Sequence, residues 1–349
     1  MAPGVASEVD FSAFARGVKA DVDSRLDAFA KERMARAEAV GEDVAAVAKA
    51  LFDVATRGGK RVRPVMIAAG AIACGGEKND TVLGAGVALE VLHAYLLVHD
   101  DWMDEDEVRR GGPSAHASLR ERFGSRQIGD ACAILAGDFG QAFAFEALAS
   151  LPVPADRALA AVAEVSRMLA DVVSGQILDV RGSARDVELM HRLKTSTYTT
   201  MTPVVLGAIL TGADQPTREA LRGAMDPLGV AFQLRDDWLG TFGDPEKTGK
   251  SARSDLRRGK RTALVEELER DRAASQLLPR VLGVEDAPDE EVDALIAIAS
   301  KTGGAKTKLE ARIAALTGES RSRLDRIALT NEGKALLFGA IDTIGARHA

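Results

Sequence analysis

Cysteine is scarce in this chain of 349 residues, occurring only at Cys74 and Cys132. The two cysteines lie far apart, and no CxxC or histidine-rich spacing accompanies them. The usual sequence patterns of a structural zinc site and of a redox pair are therefore excluded. We interpret both cysteines as small buried apolar residues in a reducing compartment.

A broad basic surface is missing as well. The net charge is −7, and the 45 lysines and arginines are interspersed among 52 acidic residues. Binding to a nucleic acid depends on a cluster of cations that displaces counterions from the phosphates. The charge pattern therefore excludes a nucleic acid as the expected partner.

Long uncharged apolar runs are the third absence. The two best runs stop at Asp100 and Asp214, short of the roughly 18 residues that a membrane-spanning helix needs. The first residues, MAPGVASEVDFSAFARG, lack the basic and then apolar regions of a signal peptide. We therefore expect no transmembrane segment and a cytoplasmic location.

What the chain does contain is helical periodicity. Apolar residues make up 46% of it and charged residues 28%, as in ordinary globular proteins. The apolar residues recur every three to four positions, and no alternating strand pattern competes with them. The fold class predicted is all-α, a single domain of ten or more helices with a frayed segment at 1–10. The helical segments are predicted at 14–52, 63–74, 81–99, 129–149, 157–176, 187–208, 218–237, 264–269, 289–301, 305–316 and 320–343.

Two aspartate pairs stand out, because each ends an apolar stretch and each precedes one of the two tryptophans. The first lies in VHDDWMDED, which places five acids within seven residues, and the second lies in FQLRDDWLG. On a helix, Asp100 and Asp104 would share one face and Asp101 would be offset. Mg²⁺ is typically held by one or two carboxylates plus substrate phosphates. We interpret the pairs as metal-binding walls that face each other across a cavity, the alternative being solvated helix ends.

Three basic loops accompany these acids. RGGKRVRP contains Lys60, Arg61 and Arg63, VRRGGP follows the first aspartate pair, and GDPEKTGKSARSDLRRGKRT follows the second. Each loop alone is typical of a solvated surface, and GKS lacks the upstream glycine and the strand of a phosphate-binding P-loop. Taken together, the loops predict a site for two separate diphosphates.

The ordered set of motifs is similar to a known family. GGKRVRP, DDWMD with a following RRG, KT at 194–195, and FQLRDD with a downstream GK occur in this order between Gly58 and Lys260. The set resembles the trans-isoprenyl diphosphate synthases of the polyprenyl synthetase family. The resemblance implies an all-α bundle around a central apolar cavity, with the domain at 11–349. It also implies a homodimer and about two or three Mg²⁺ ions per site.

The resemblance implies roles for individual residues. The metal ligands would be chiefly Asp100, Asp104 and Asp236, assisted by Asp101 and Asp237. Three further sets follow: Arg109, Lys194, Lys250 and Lys260 for the allylic diphosphate; Lys60, Arg63, His93 and Arg110 for isopentenyl diphosphate; and Thr195, Gln233 and Tyr198 near the carbocation. The alternative role, for His93 and Tyr198, is packing in the core.

The second aspartate motif departs from the family pattern. Gly240 stands where many relatives have a third aspartate, and Asp244 comes later. Metal binding on this wall would therefore depend on Asp236 and Asp237. The segment GKSARSD also lacks the usual proline or glycine, which affects the expected place of Lys250.

The length of the product is expected to depend on the residues one turn before Asp100. Tyr95 and Leu96 occupy these positions and would form the floor of the hydrocarbon pocket. With an aromatic residue at the place of Tyr95, the chain resembles the family's synthases of geranylgeranyl diphosphate. Farnesyl diphosphate is the near alternative as the product. A terpene cyclase and a non-catalytic partner subunit of a heteromeric synthase are competing hypotheses, and the GGKRVR motif argues against the cyclase.

Overall fold

The structure is a computed structural model that describes residues 9–183, 186–243 and 253–346. The all-α prediction is confirmed, because every regular element of these residues is helical apart from one hairpin of two-residue strands. The first half contains α1 (Phe11–Val40), α2 (Glu42–Thr56), α3 (Val62–Ala73), α4 (Asp80–Met103), β1 (Val108–Arg109), β2 (Gly112–Pro113), α5 (Ala115–Phe123), α6 (Arg126–Ala149) and α7 (Ala155–Val180).

The second half contains one π-helix among its α-helices. Its elements are α8 (Val187–His191), the π-helix (Arg192–Met201), α9 (Thr202–Thr211), α10 (Gln215–Phe242), α11 (Ser254–Arg257), α12 (Ala263–Arg270), α13 (Arg272–Leu277), a 3-10 turn (Leu278–Arg280), α14 (Asp289–Ala299), α15 (Ala305–Asp325) and α16 (Asn331–Gly345).

The chain separates into two compact units. Unit 1 comprises 1–165, 203–214 and 329–336, and unit 2 comprises 166–202, 215–328 and 337–349. The single domain at 11–349 stays a prediction, and most of the segment predicted to fray lies outside the described residues.

In unit 1, α4 is the central helix. It packs against α1, α2, α3 and α6, and its residues from Val82 to Val98 are mostly buried. Such an all-round apolar helix is expected only where neighbours cover every face. The fully buried Leu26, Leu51, Leu92 and Leu148 bring α1, α2, α4 and α6 into this core.

In unit 2, α10 packs against α15 and the π-helix. Its residues Leu234 and Trp238 belong to an apolar core shared with the helices that follow. Pro227 lies inside α10 and cannot donate a backbone hydrogen bond. The carbonyl of Gly223, which would accept from residue 227, accepts from Arg323 instead. The next three carbonyls also accept from side chains: Ala224 from Ser320, Met225 from Thr200 and Asp226 from Ser196.

Ser196 and Thr200 are residues of the π-helix. Their hydroxyls, 2.9 and 3.0 Å from the carbonyls of Asp226 and Met225, fix the π-helix against the part of α10 that precedes Pro227. A π-helix is rare and is frequently found at functional sites. Here it carries Lys194 and Thr195, which the sequence analysis predicts to be in the site.

Three predicted helices are divided in the structure. The segment 14–52 breaks at Gly41, whose extended backbone separates α1 from α2. The segment 187–208 contains α8, the π-helix and α9, and the segment 320–343 breaks between Asp325 and Asn331. These breaks leave the apolar periodicity nearly unchanged, which explains why the sequence pattern does not show them.

Two helices of the described residues are long and apolar enough to cross a membrane by length and composition alone. They are α4 and α6, and 72% of the most apolar 18-residue stretch of α4 is buried within the fold. For α6 the buried share is 33%. A buried core helix passes the same test, so burial accounts for the apolar sequence of α4.

Candidate active site

The first aspartate cluster lies at the end of α4. Asp104 is the C-terminal cap of this helix, and its backbone N–H donates to the carbonyl of Asp100 at 2.8 Å. Asp100 and Asp104 are therefore separated by one helical turn on one face, as the spacing predicts. Both are half-buried. Glu105 follows in a left-handed conformation (φ 54°), where the chain leaves the helix.

Asp101 points elsewhere and is fully buried. Its Oδ1 accepts from Nε of Arg109 at 2.7 Å and also from an Nη of the same guanidinium. Burial raises the pKa of Asp101, although the hydrogen bond and charge of Arg109 act to lower it. For Arg109, burial acts to lower the pKa, and the hydrogen bond and charge of Asp101 raise it. The predicted metal ligand Asp101 and the predicted phosphate ligand Arg109 thus form a partly buried ion pair.

The four residues predicted to bind isopentenyl diphosphate lie on four segments of unit 1. Lys60 is exposed in the loop before α3, Arg63 is half-buried in the first turn of α3, and His93 is half-buried on α4. Arg110, which follows β1, joins two of these segments. One Nη of Arg110 lies 3.3 Å from Nε2 of His93, and the other donates to the carbonyl of Gly58 at 3.2 Å.

The surroundings of His93 are cationic. Burial and the charges of Arg63, Arg110, Arg109 and Arg61 lower the pKa of His93 well below its ordinary value. The imidazole is therefore neutral at pH 7. Because arginine has only donors, Nε2 of His93 accepts from Arg110 and Nδ1 carries the proton.

Tyr95 and Leu96, the predicted floor residues, differ in exposure. Tyr95 is buried and Leu96 is half-buried. The ring of Tyr95 makes an edge contact with His99 at a centroid distance of 4.8 Å. A Cβ added to Gly140 of α6 would lie 2.9 Å from both Cβ of Tyr95 and Cδ1 of Leu51. The backbone of α6 therefore lies directly behind Tyr95.

In unit 2, a chain of hydrogen bonds joins the π-helix to α10. The hydroxyl of Thr195 donates to Oε1 of Gln233 at 2.9 Å, and Nε2 of Gln233 donates to Oδ1 of Asp237 at 2.9 Å. Oδ2 of Asp237 lies 3.3 Å from Nε2 of the buried His191. Asp237 therefore orients Gln233, which in turn orients the hydroxyl predicted to lie near the carbocation.

The second aspartate pair lies within α10. The helix continues to Phe242, so the pair does not end it. Asp236 is half-buried and Asp237 is turned toward Gln233 and His191. Lys260 is half-buried shortly after α11. Lys250 and Asp244 lie outside the described residues.

A metal site needs hard oxygen ligands if it is to hold Mg²⁺. Asp100 and Asp104 supply carboxylates at one turn's spacing, and Asp236 supplies one in unit 2. Within the described ranges, no group of three or more His, Cys, Asp or Glu residues is arranged to hold a metal ion. Such sparse carboxylates fit an ion that keeps several waters and takes the rest of its ligands from substrate phosphates.

Comparison with known proteins agrees with these motifs. The polyprenyl synthetase family profile matches residues 44–299. The chain belongs to the polyprenyl synthetase family. One similar solved structure is the crystal structure of geranylgeranyl pyrophosphate synthase from Corynebacterium glutamicum, complexed with isoprenyl diphosphate and magnesium. It superposes on this chain with a TM-score of 0.86 at 30% sequence identity. The superposition covers 97% of this chain and 99% of that one.

Curated relatives of this polyprenyl synthetase carry different product names. The (2E,6E)-farnesyl diphosphate synthase of Mycobacterium tuberculosis is 39% identical over 210 residues, which cover 58% of this chain and 55% of that protein. The match thus spans little more than half the length of that relative. The geranylfarnesyl diphosphate synthase of Aeropyrum pernix is 33% identical over 301 residues, 83% of this chain and 91% of that protein.

Further residues of this polyprenyl synthetase, which the sequence motifs do not include, hold the predicted ligands in place. Nζ of Lys194 forms an ion pair with Oδ2 of Asp179 at 2.5 Å, and Arg61 is paired with Asp23 and Glu90. Glu90 had a signal, because it is a lone charge within the apolar run VALEVLHAYLLV. For Asp179, the signal is Gly175, four residues earlier. A glycine inside a helical pattern usually has a packing or functional reason.

The reason for Gly175 is a close approach to Lys194. A Cβ at Gly175 would lie 2.5 Å from the backbone nitrogen of Lys194 and 2.9 Å from its Cα. We expect Gly175→Ala to displace the π-helix, to weaken the Lys194–Asp179 ion pair, and to lower the free energy of unfolding by about 1–3 kcal/mol through overpacking. Urea unfolding measures the loss of stability.

Gly223→Ala is the matched control for Gly175→Ala. Gly223 lies in α10 of the same unit, and a Cβ there would meet nothing within 4 Å. Alanine favours a helix over glycine by up to about 1 kcal/mol, so this variant is expected to be neutral or stabilised. Equal stability of the two variants would contradict the close approach at Lys194.

Proposed function

We propose that this protein catalyses the Mg²⁺-dependent head-to-tail condensation of isopentenyl diphosphate with an allylic diphosphate, and that its product is geranylgeranyl diphosphate. The observation that carries the proposal is the composition of the unit 1 half-site. Two half-buried carboxylates lie at the end of α4 at one turn's spacing, and three cations and a neutral histidine lie on the same or neighbouring elements. Cations and imidazole N–H groups are suitable ligands for a diphosphate.

The proposed reaction has three steps. The allylic carbon–oxygen bond breaks and leaves an allylic carbocation and pyrophosphate, the double bond of isopentenyl diphosphate attacks the cation, and a proton is lost to the released pyrophosphate. About two or three Mg²⁺ ions, held by Asp100, Asp104 and Asp236, would act as Lewis acids on the leaving diphosphate. Fixed cations aimed at the developing charge lower the barrier, because they need no reorganisation during the reaction.

Individual side chains have distinct roles in this proposal. Arg109, Lys194, Lys250 and Lys260 would hold the allylic diphosphate. Lys60, Arg63, His93 and Arg110 would hold isopentenyl diphosphate. Thr195 and Gln233, which are hydrogen-bonded to each other at 2.9 Å, present oxygens whose partial negative charge favours a nearby carbocation.

Incubation of the purified protein with labelled isopentenyl diphosphate tests the reaction. Dimethylallyl, geranyl or farnesyl diphosphate serves as the primer, with either Mg²⁺ or EDTA, and chain lengths are resolved after phosphatase treatment. A twenty-carbon alcohol that depends on Mg²⁺ would support the proposal. A fifteen-carbon alcohol would favour the farnesyl alternative, whose support is the relative from Mycobacterium. No product from any primer would contradict the reaction and favour a partner subunit.

Replacing Tyr95 is expected to change the length of the product. Tyr95→Ala opens the buried space in front of Gly140, and each CH₂ buried there is worth about 0.8 kcal/mol, so an added prenyl unit is stabilised. We expect a product longer by at least one prenyl unit. Tyr95→Phe keeps the ring and is expected to give the wild-type product. An unchanged product from Tyr95→Ala would place the floor elsewhere.

The homodimer and the cytoplasmic location also belong to this proposal. Ile128 and Leu135 on α6 are 50% and 54% exposed, and apolar surface of this kind supports association between copies. Analytical ultracentrifugation at micromolar concentration tests the dimer. A sedimentation coefficient of a 36.9 kDa monomer would contradict it.

A further inference from the structure

Arg61 is a buried arginine between two residues predicted to bind isopentenyl diphosphate, Lys60 and Arg63. Its side chain is 1% exposed, so the guanidinium is out of reach of a ligand in solvent. Nε donates to Oδ1 of Asp23 on α1 at 2.7 Å, and an Nη donates to Oε2 of Glu90 on α4 at 2.7 Å. One side chain thus joins the loop to two helices.

The backbone at Arg61 is constrained as well. Arg61 has φ 50° and ψ 40°, the left-handed region that residues other than glycine seldom adopt. It is the N-terminal cap of α3, and its carbonyl accepts from the backbone N–H of Val65. A left-handed conformation costs an L-residue roughly 1–2 kcal/mol, so the surrounding contacts have to maintain it. The two ion pairs of Arg61 provide such contacts.

The concentration of positive charge around Arg61 also makes these ion pairs necessary. Lys60, Arg61 and Arg63 place three cations within four residues, and the guanidinium of Arg110 lies against Gly59 of the same loop. A buried guanidinium without a counter-charge would cost several kcal/mol. Glu90 is 2% exposed and Asp23 is half-buried, and both carboxylates are directed at Arg61. Arg61 can therefore remain charged inside the protein, beside the predicted ligands.

The position of Glu90 links Arg61 to the part of α4 that carries His93, another residue of the half-site. Glu90 precedes His93 by three residues on α4, which is nearly one helical turn. The contact between Arg61 and Glu90 therefore fixes the loop relative to the helix that carries His93. Lysine cannot replace this arrangement, because an ammonium group lacks the planar fork that reaches two carboxylates on different helices.

We propose that Arg61 is a positioning residue for isopentenyl diphosphate: it anchors the loop 57–61 to α1 and α4 and thereby sets the places of Lys60 and Arg63. The proposal rests on the proposed function, since it assigns the half-site to that substrate. Loss of this anchor is expected to weaken the binding of isopentenyl diphosphate and not of the allylic substrate, because the anchored loop carries ligands of only one of the two substrates.

The test compares the KM values of the two substrates in Arg61→Lys. We expect the KM for isopentenyl diphosphate to rise about tenfold and the KM for the allylic substrate to stay within about twofold of wild type. Asp23→Asn removes the negative charge that pairs Arg61 with α1, together with the Lys19–Asp23 ion pair within α1, and is expected to give a smaller rise of the same selectivity. This second variant retains the Arg61–Glu90 pair, so it keeps the test decisive if Arg61→Lys does not fold.

Arg33→Lys is the matched control. Arg33 is another buried arginine of α1, and its ion pairs are with Glu32 and Glu146 rather than with residues of the loop. We expect it to lower the melting temperature without changing either KM. Equal rises of both KM values in Arg61→Lys, or a lower melting temperature with both KM values unchanged, would overturn the positioning role.

Failure of the proposed function would be recognised separately. If the wild-type protein forms no product with any primer, the reaction is wrong, and calorimetric titration with isopentenyl diphosphate replaces the KM measurement. Binding by wild type that weakens about tenfold in Arg61→Lys but not in Arg33→Lys would still support the anchor. Binding that is unchanged in Arg61→Lys, or absent from wild type, would overturn it.

Discussion

Asp100→Ala is expected to reduce turnover on the order of 10³-fold or more, because it removes a carboxylate proposed to hold Mg²⁺ against the leaving diphosphate. The fold should remain near intact, since Asp100 is half-buried at the end of α4 and contributes little packing. Steady-state turnover at saturating Mg²⁺, together with the melting temperature, measures both effects.

The matched control for this variant lies on the same helix. Asp80 is in the first turn of α4, is highly exposed and forms a surface ion pair with Arg25. Such pairs contribute about 0–1 kcal/mol, so Asp80→Ala is expected to keep wild-type turnover. Turnover by Asp100→Ala comparable to that of Asp80→Ala would show that Asp100 does not hold the metal.

Arg109→Gln is expected to have the largest effect on stability. The substitution leaves the carboxylate of Asp101 fully buried without its counter-charge. Breaking a buried pair in this way costs about 3–5 kcal/mol. Urea unfolding at pH 7 should show this loss in the free energy of unfolding.

The loss should shrink as the pH falls. Burial already raises the pKa of Asp101, and removal of Arg109, which acts to lower it, raises it further. The unfolded carboxyl has a pKa of about 3.9. Between the two pKa values the folded state binds the extra proton, so the free energy of unfolding of the variant rises relative to wild type on acidification. Unfolding measured from pH 7 to pH 5 checks this sign.

Arg120→Gln controls for the loss of a partly buried arginine. The side chains of Arg120 and Arg109 are 17% and 18% exposed, but Asp130, the partner of Arg120, is itself 21% exposed. Water can therefore solvate Asp130 in the variant, and we expect a loss of about 1 kcal/mol or less. A loss in Arg109→Gln that is equally small, or that does not vary with pH, would contradict the burial argument for Asp101.

Much of the fold followed from local pattern. Helical periodicity predicted the all-α class, and the spacing of Asp100 and Asp104 predicted one shared face, which the 2.8 Å hydrogen bond between their backbones confirms. These features depend on residues within one helical turn of each other. The breaks at Gly41 and in the π-helix were missed, because the apolar spacing continues across them.

Sequence by itself determined that this chain is helical and that it belongs with the polyprenyl synthetases, and it predicted which acidic and basic motifs carry the chemistry. Only the tertiary structure decided that Asp101 and Asp237 turn inward, that Arg61 joins α1 to α4, and that Gly175 admits the backbone of Lys194. The physical reason is that periodicity specifies the face of a helix on which a side chain lies. The residue that meets this face comes from a distant part of the chain, as Asp23 does for Arg61, and packing selects it.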